Sequence, residues 1–258
     1  MSDLVPTPFG YAFLPGVRQY SQGVVGTEGH ALTRVQFSSP VALHDGLNLA
    51  AEIIDAAGRP PAALCACELR TPAPFTEAEF TAFNGRYVGA LAAFGVQLHD
   101  GGSPVARTNV CPPAGLVDEP SMHAFCFTVP ATAGPVTDFV VSGSAEVPEG
   151  LDNYHNHVVA PGDTTPGGLL DKARFVLDEL TGRMAGLGVT GEAPHVVQVY
   201  STHDIHAVLT GPVATGFAPH RGVTWHPARP PVAGLDFEMD CRTVSTERLI
   251  DPQGRKHR

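Results

Sequence analysis

The sequence predicts an α+β protein of two tandem units, each a mixed sheet backed by two helices. Three observations predict it. The order strand–helix–strand–helix–strand–strand is read twice, each time over ~110–120 residues, as expected of a repeated supersecondary unit. Each round contains a long helix with an apolar stripe at helical spacing. A Pro104-Val-Ala-Arg107 stretch in the first round is echoed by Pro227-Ala-Arg229 in the second. The expected units are 1–132, with an N-terminal extension, and 133–258, with a C-terminal tail; the join falls near Pro130–Pro135.

In the first unit, residues 1–30 are rich in Pro and Gly and read as an irregular entry segment. Leu32 to Phe37 has strand character. From Leu47 to Ala57, Leu49, Ile53, Ile54 and Ala57 follow helical spacing, and Gly58-Arg-Pro-Pro61 stops the helix. Leu64 to Leu69 is a strand. A second helix starts at Thr76, an N-cap with Glu79 three positions on, and carries the stripe Phe80, Phe83, Tyr87, Leu91 and Phe94. Val105 to Val110 and Met122 to Val129 complete the unit as strands.

The second unit opens with the strand Asp138 to Ser144. Leu169, Ala173, Val176, Leu180, Met184 and Leu187 then form an amphipathic helix ended by Gly188. Val196 to Ser201, Gly222 to Trp225 and Leu235 to Cys241 read as strands, with a short helix between Asp204 and Val213. Asp251 to Arg258 reads as a frayed polar tail.

The totals narrow the function. With 43% hydrophobic and 16% charged residues the chain reads as folded and soluble. A formal charge of −10 argues against nucleic acid or an anionic membrane as partner. It leaves room for a small anionic substrate held by a few arginines. Five cysteines without a Cys-x-x-Cys suggest neither a disulfide framework nor a zinc site. No signal peptide or apolar run of ~18 residues is visible, so a cytoplasmic protein is expected. No Gly-x-Gly-x-x-Gly, Walker or Gly-x-Ser-x-Gly pattern occurs. Arg107 and Arg229, each in an Ala-Arg pair just after a Pro and each expected to run into an apolar strand, read as equivalent positions. A guanidinium fixed there grips a carboxylate bidentately, whether a ligand's or an internal Asp or Glu.

Several short motifs, in order and spacing, resemble the RidA/YjgF family of imine and enamine deaminases, duplicated within one chain. In the first half these are Tyr20-Ser-Gln-Gly-Val24, Ala56-Ala-Gly58, Phe83-Asn-Gly-Arg-Tyr87 and Pro104-Val-Ala-Arg107. In the second they are Val140-Val-Ser-Gly143, Pro227-Ala-Arg229 and Phe237-Glu-Met239. The resemblance implies a chorismate-mutase-like fold, assembly in threes (a trimer or a multiple of three), and clefts shared by neighbouring units. It implies hydrolysis of a 2-imino or 2-enamino acid to a 2-keto acid and ammonia without metal or organic cofactor.

On this resemblance Arg107 and Arg229 hold carboxylates, and the family's acidic water-positioning residue falls on Glu238. The matching place in the first half falls near His123, whose neutral ring can orient or deprotonate water. Tyr20, Asn84, Asn109 and Ser142 are the expected substrate contacts; Asn109 follows the arginine where the family often has Cys. Blander roles stay open: Asn84 as a backbone bridge, Tyr20 as packing, Glu238 as an arginine's ion-pair partner. Divergent halves with a basic pair suit one composite site and a 2-aminomuconate-type dicarboxylate of aromatic catabolism. The rival is a non-catalytic carboxylate-binding or regulatory protein of the same fold. His155, His157, His203 and His206 with Asp204 could in principle take a transition metal, but their spacing matches no established motif. Cys111, near Arg107, is read as an inert buried thiol rather than a reactive one.

Overall fold

The computed structural model describes residues 4–131, 137–151, 153–189, 194–213 and 222–253. The segment expected to join the units lies, beyond Ala131, mostly outside the described residues, as does the end of the tail from 254 on. Twelve strands and four α-helices are described, an α+β architecture as the sequence predicts. Among the described residues no helix is long and apolar enough to cross a membrane.

The first half supplies β4 (His30–Ala42), α1 (Leu43–Ala56), β5 (Leu64–Arg70), α2 (Glu77–Phe94), β6 (Ala106–Val110) and β7 (Ser121–Pro130). The second supplies β8 (Phe139–Ala145), α3 (Pro166–Gly186), β9 (Val196–Tyr200), α4 (His206–Thr210), β10 (Thr224–His226) and β11 (Glu238–Thr243). Both halves order their strands alike: β4-β7-β5-β6 in one sheet, β8-β11-β9-β10 in the other. In each, the third strand joins the second in parallel and the last lies antiparallel between the first two.

Four further strands break the expected pattern. The N-terminal segment, expected to be irregular, forms β1 (Val5–Pro6), β2 (Tyr11–Leu14) and β3 (Gly23–Gly26), and β3 pairs antiparallel with β8. Beyond the last expected strand, β12 (Thr246–Ile250) runs parallel to β4. The result is a seven-stranded sheet, β1-β2-β3-β8-β11-β9-β10, and a five-stranded one, β12-β4-β7-β5-β6. Each therefore borrows its edge from the other end of the chain. Asp138 stitches the exchange: its carboxylate accepts the Leu32 N–H at 2.7 Å and the Ser245 N–H at 2.9 Å.

Helix boundaries follow local chemistry. Thr76 and Glu79 form the reciprocal capping box that the sequence predicts, and Gly95 ends α2 in the left-handed region at φ +108°. The apolar stripes of α1 and α2 pack on one face of the five-stranded sheet, around Ile53, Ile54, Phe83, Tyr87 and Phe125. α3 and α4 cover the seven-stranded sheet around Val176, Leu180, Val199, Phe237 and Met239. Burying each such side chain stabilises the fold by about 1.5–3 kcal/mol. The opposite faces of the two sheets meet over small residues, Cys65, Ala66, Ala106 and Cys126 among them.

Polar groups share that inner layer. Arg34 grips Glu68 with Nε at 2.6 Å and Nη2 at 2.8 Å, and Arg242 stands 3.8 Å from the same carboxylate. Burial raises the Glu68 carboxyl, but the two guanidiniums outweigh it and hold it well below the usual range.

Candidate active site

The site is built on β6. On one side this strand pairs with β5; on the other, Ser142 of β8 replaces a ladder partner. Its hydroxyl oxygen accepts the Arg107 N–H at 3.0 Å and donates to the Ser21 carbonyl at 2.6 Å. Ser142 is fully buried and braces two backbones; it does not line the cavity.

Thus fixed, the Arg107 side chain lies on the aromatic stripe of α2. Its guanidinium carbon is 4.6 Å from the Tyr20 ring centre, 5.0 Å from Tyr87, 5.7 Å from Phe80 and 6.0 Å from Phe83. Its Nη1 donates to Asn84 Oδ1 at 2.8 Å. Arg107 is only 4% exposed, and no carboxylate among the described residues pairs with it. Desolvating a cation costs several kcal/mol. Four ring faces and one amide offset part of that, and an anion would offset the rest.

The cavity beside Arg107 encloses about 490 Å³ of empty space, part of it open to solvent. Side chains two apart on a strand share a face, so Asn109 points the same way as Arg107. Both polar atoms of its amide are buried without a hydrogen-bond partner. Such orphaned groups cost about 1–3 kcal/mol each unless a ligand satisfies them. Glu238, Gly143, Tyr20, Phe80, Glu149 and Tyr154 line the cavity as well. Pro231, Val232 and Leu235 line it too, on a loop pinned by the Phe75 N–H to the Pro231 carbonyl at 2.7 Å.

Glu238 is the first residue of β11, and its carboxyl takes no hydrogen bond among the described residues. Burial first, then neighbouring Asp240, push that carboxyl well above the ordinary range, against the lowering pull of Arg107. A buried acid and a buried cation thus line the same cavity. Gly143 lacks a side chain for a direct reason: a Cβ there would overlap Glu238 Oε1. The start of β11 is held by Glu146, whose carboxylate accepts the N–H groups of Asp236 and Phe237 at 2.5 and 3.0 Å and pairs with buried Lys172 at 3.1 Å.

Of the eight residues expected at the site, Arg107, Tyr20, Asn109 and Glu238 line one cavity. Asn84 bonds Arg107 and borders an adjoining outer hollow of about 850 Å³, while Ser142 braces the strand. Arg229 and His123 stand apart. The expected equivalence of the two arginines does not hold: Arg107 lies within a paired strand, whereas Arg229 follows β10, is exposed, and meets Cys111 only through backbone bonds of 2.7 and 2.8 Å. The Pro-Pro after Arg229 cannot supply ladder donors, so no strand follows it. His123 sits where the ladder of β7 skips from Ala124 to Met122, outside the cavity lining. Burial and then Arg70 push its imidazole down to about 3, so it is neutral there.

Sequence reasoning missed Glu149 and Arg183. Arg183 of α3 is 2% exposed; its Nη2 pairs with Glu149 Oε1 at 2.8 Å and its Nη1 reaches the Ser142 and Gly143 carbonyls at 3.1 and 3.3 Å. The signal was present: Arg183 continues, at helical spacing, the stripe of Leu169, Ala173, Val176 and Leu180, an arginine on an apolar face. Among the described residues no group of three or more His, Cys, Asp or Glu side chains gathers as a metal site; His203 pairs with Asp236 at 3.2 Å and His155 with Glu77 at 3.7 Å. Burial pushes the Cys111 thiol up to about 11, as suits an inert thiol.

A family model described as 2-aminomuconate deaminase CnbZ matches residues 5–248. A 2-amino-5-chloromuconate deaminase of Comamonas testosteroni is 37% identical over 248 residues, covering 96% of this chain and 98% of that protein. Among solved structures, a chorismatase superposes with a TM-score of 0.50 at 12% identity, covering 93% of this chain and 79% of that one, a likeness of fold. The YjgF gene product of E. coli covers 45% of this chain and 92% of its own, at 18% identity and a TM-score of 0.30.

Proposed function

The chain belongs to the 2-aminomuconate deaminase CnbZ family, and from that premise we propose that it hydrolyses a 2-aminomuconate-type dicarboxylate to the 2-keto (or 2-hydroxydienoic) acid and ammonia, as a hydrolase of carbon–nitrogen bonds. The observation that carries the reading is Arg107, a buried guanidinium that pairs with no carboxylate among the described residues and shares its cavity with the buried acid Glu238. A cation in that setting calls for an anionic ligand, and Asn109 offers it a free donor and a free acceptor.

The chemistry follows from these groups. Arg107 fixes a carboxylate and so places the adjacent nitrogen-bearing carbon. Glu238, protonated, gives its proton to the enamine carbon; a C–H bond forms and the nitrogen lone pair closes a C=N bond. The Glu238 carboxylate left behind takes a proton from water as the water oxygen adds to the neighbouring, nitrogen-bearing carbon of that C=N bond. The carbinolamine then collapses: the C–N bond breaks, C=O forms, and nitrogen leaves as ammonia with the hydroxyl proton. Enamine and water enter, keto acid and ammonia leave, and Glu238 ends protonated. The reading uses Asn84 and Ser142 to hold Arg107 and gives no step to Arg229 or His123. It includes a cytoplasmic trimer or multiple of three, the assembly that the RidA/YjgF resemblance implies; light scattering that gave a monomer would count against it.

The test is ammonia release from freshly generated 2-aminomuconate and from 2-aminoacrylate, with the wild type and Arg107→Ala. Fast release from the dicarboxylate, lost in the variant, is expected. Release from 2-aminoacrylate alone would mark a general enamine scavenger. No release from either by folded protein would sink the enzyme reading.

A further inference from the structure

The cavity holds two opposite charges set apart by a single tyrosine. The ring face of Tyr20 lies under the Arg107 guanidinium, 4.6 Å away, while its hydroxyl, at the far end of the ring, donates to Glu149 Oε1 at 3.0 Å. Arg183 Nη2 binds the same oxygen at 2.8 Å. Both contacts fall on Oε1. Glu149 Oε2 takes no hydrogen bond among the described residues, and Glu149 lines the cavity. The carboxylate is also immobilised, because buried Arg183 is tied to the Ser142 and Gly143 carbonyls and cannot follow a displaced partner.

A fixed carboxylate with one oxygen unused is an acceptor waiting for N–H groups. A 2-enamino or 2-imino acid carries an anionic group and an N–H-bearing nitrogen on adjacent carbons. The Tyr20 ring, in contact with Arg107 through its face and with Glu149 through its hydroxyl, sets the span between an anchor for that carboxylate and an acceptor for that nitrogen.

We propose that Glu149, held by Tyr20 and Arg183, receives the nitrogen of the substrate and keeps it through to release as ammonium. The proposal rests on the deaminase reading and adds a residue to it. In the ground state Glu149 Oε2 accepts an enamine N–H. When the enamine carbon is protonated, the nitrogen lone pair becomes part of the C=N bond and the positive charge of the iminium appears beside that oxygen. The carboxylate is complementary to this developing charge more than to the neutral enamine, so it lowers the barrier rather than only tightening binding. After the C–N bond breaks, ammonia takes up a proton from solvent and leaves as ammonium from the same acceptor.

The experiment compares wild type, Glu149→Gln and Glu149→Asp in two assays: ammonia release from 2-aminomuconate, and equilibrium binding of muconate, which has both carboxylates but no nitrogen. In Glu149→Gln, kcat is expected to fall about 100-fold, the usual effect of removing one preorganised electrostatic group. Its Kd for muconate is expected to stay within about twofold of wild type, which also reports an intact site. Glu149→Asp, which keeps the charge, is expected to recover at least about a tenth of the wild-type rate. Unchanged kcat in Glu149→Gln would overturn the proposal. So would muconate affinity lost in step with turnover, since that marks a structural role, or an Asp variant no faster than the Gln variant. If the wild type binds muconate but releases no ammonia, it is the deaminase reading that fails, and this proposal falls with it.

Discussion

Arg107 and Glu238 line one cavity from opposite halves of the chain; among the described residues the first is a buried cation with no carboxylate paired to it and the second a buried acid whose carboxyl takes no hydrogen bond. Neither arrangement favours the empty protein, so function and stability pull in opposite directions here.

Arg107→Met should make that conflict measurable. Removing an unpaired buried charge leaves thermal stability unchanged or higher, since an apolar side chain of similar volume incurs no desolvation cost. Turnover should drop by the equivalent of about 2–5 kcal/mol, the usual loss when one partner of a buried charge contact is removed. Asn109→Leu should behave in the same sense with a smaller loss, because it abolishes two orphaned polar atoms. Melting curves and ammonia-release kinetics on the same preparations check both.

Glu238 gives a pH dependence with a definite sign. Its carboxyl is raised by burial and by Asp240, with Glu146 and Glu149 adding to the rise and Arg107 opposing it. A raised acid binds its proton more tightly in the folded state, so folded protein loses stability as pH climbs from the ordinary carboxylate value towards the raised one. Glu238→Gln should remove that loss. Its melting temperature should match wild type near pH 4 and exceed it at pH 8, while its turnover falls at every pH. Turnover of the wild type should decline as pH rises and the acid ionises.

Glu68 predicts the opposite sign. Arg34 and Arg242 hold its carboxyl well below the ordinary value. The stability it contributes is complete above the unfolded-state value near 4.5 and disappears as pH falls towards the depressed one. Glu68→Ala should cost about 3–5 kcal/mol at neutral pH, because it takes the bidentate carboxylate from buried Arg34, whereas Arg242 keeps Glu247 at 2.9 Å, and the deficit should shrink on acidification. Denaturant midpoints at pH 7 and pH 3 provide the comparison.

Gly143→Ala puts a methyl group where Glu238 Oε1 now lies. Gly143 lies where the ladder of β8 with β11 shifts register, but its φ is outside the left-handed region, so the fold should persist with a near-UV spectrum like that of the wild type. The acid must turn away, and kcat should fall about 10-fold or more with little change in muconate binding.

The periodic elements were legible in the sequence because their signals are local. The capping box of Thr76 and Glu79 and the stripe from Phe80 to Leu91 specify α2 within one helical window. β3 and β12 were not, because their partners lie in the other half: Val24 pairs with Val140, and Thr246 with Thr33, while β2 and then β1 are built onto β3. A Pro- and Gly-rich stretch becomes a strand only when such a partner is supplied, which no window of sequence reports. The site was half legible for the same reason. Arg107, Tyr20 and Glu238 were found through short motifs, whereas the value of Glu149 depends on Arg183, a buried arginine on a distant helix. Arg229 misled because Pro-Ala-Arg recurs without its strand.

The exchanged edge strands also bear on how the molecule is made. A ribosome delivers the chain from its N-terminus at about 5–20 residues per second. β3 emerges early but finds β8 only after residues 139–145 have been made. The five-stranded sheet, otherwise complete by Pro130, keeps an open flank until residues 246–250 appear. For seconds the nascent polypeptide therefore shows bare sheet margins to its neighbours, the kind of surface on which aggregates nucleate. Biogenesis, rather than the finished fold, is the vulnerable stage of this protein's life, and chaperone supply and growth temperature become determinants of how much enzyme a cell obtains.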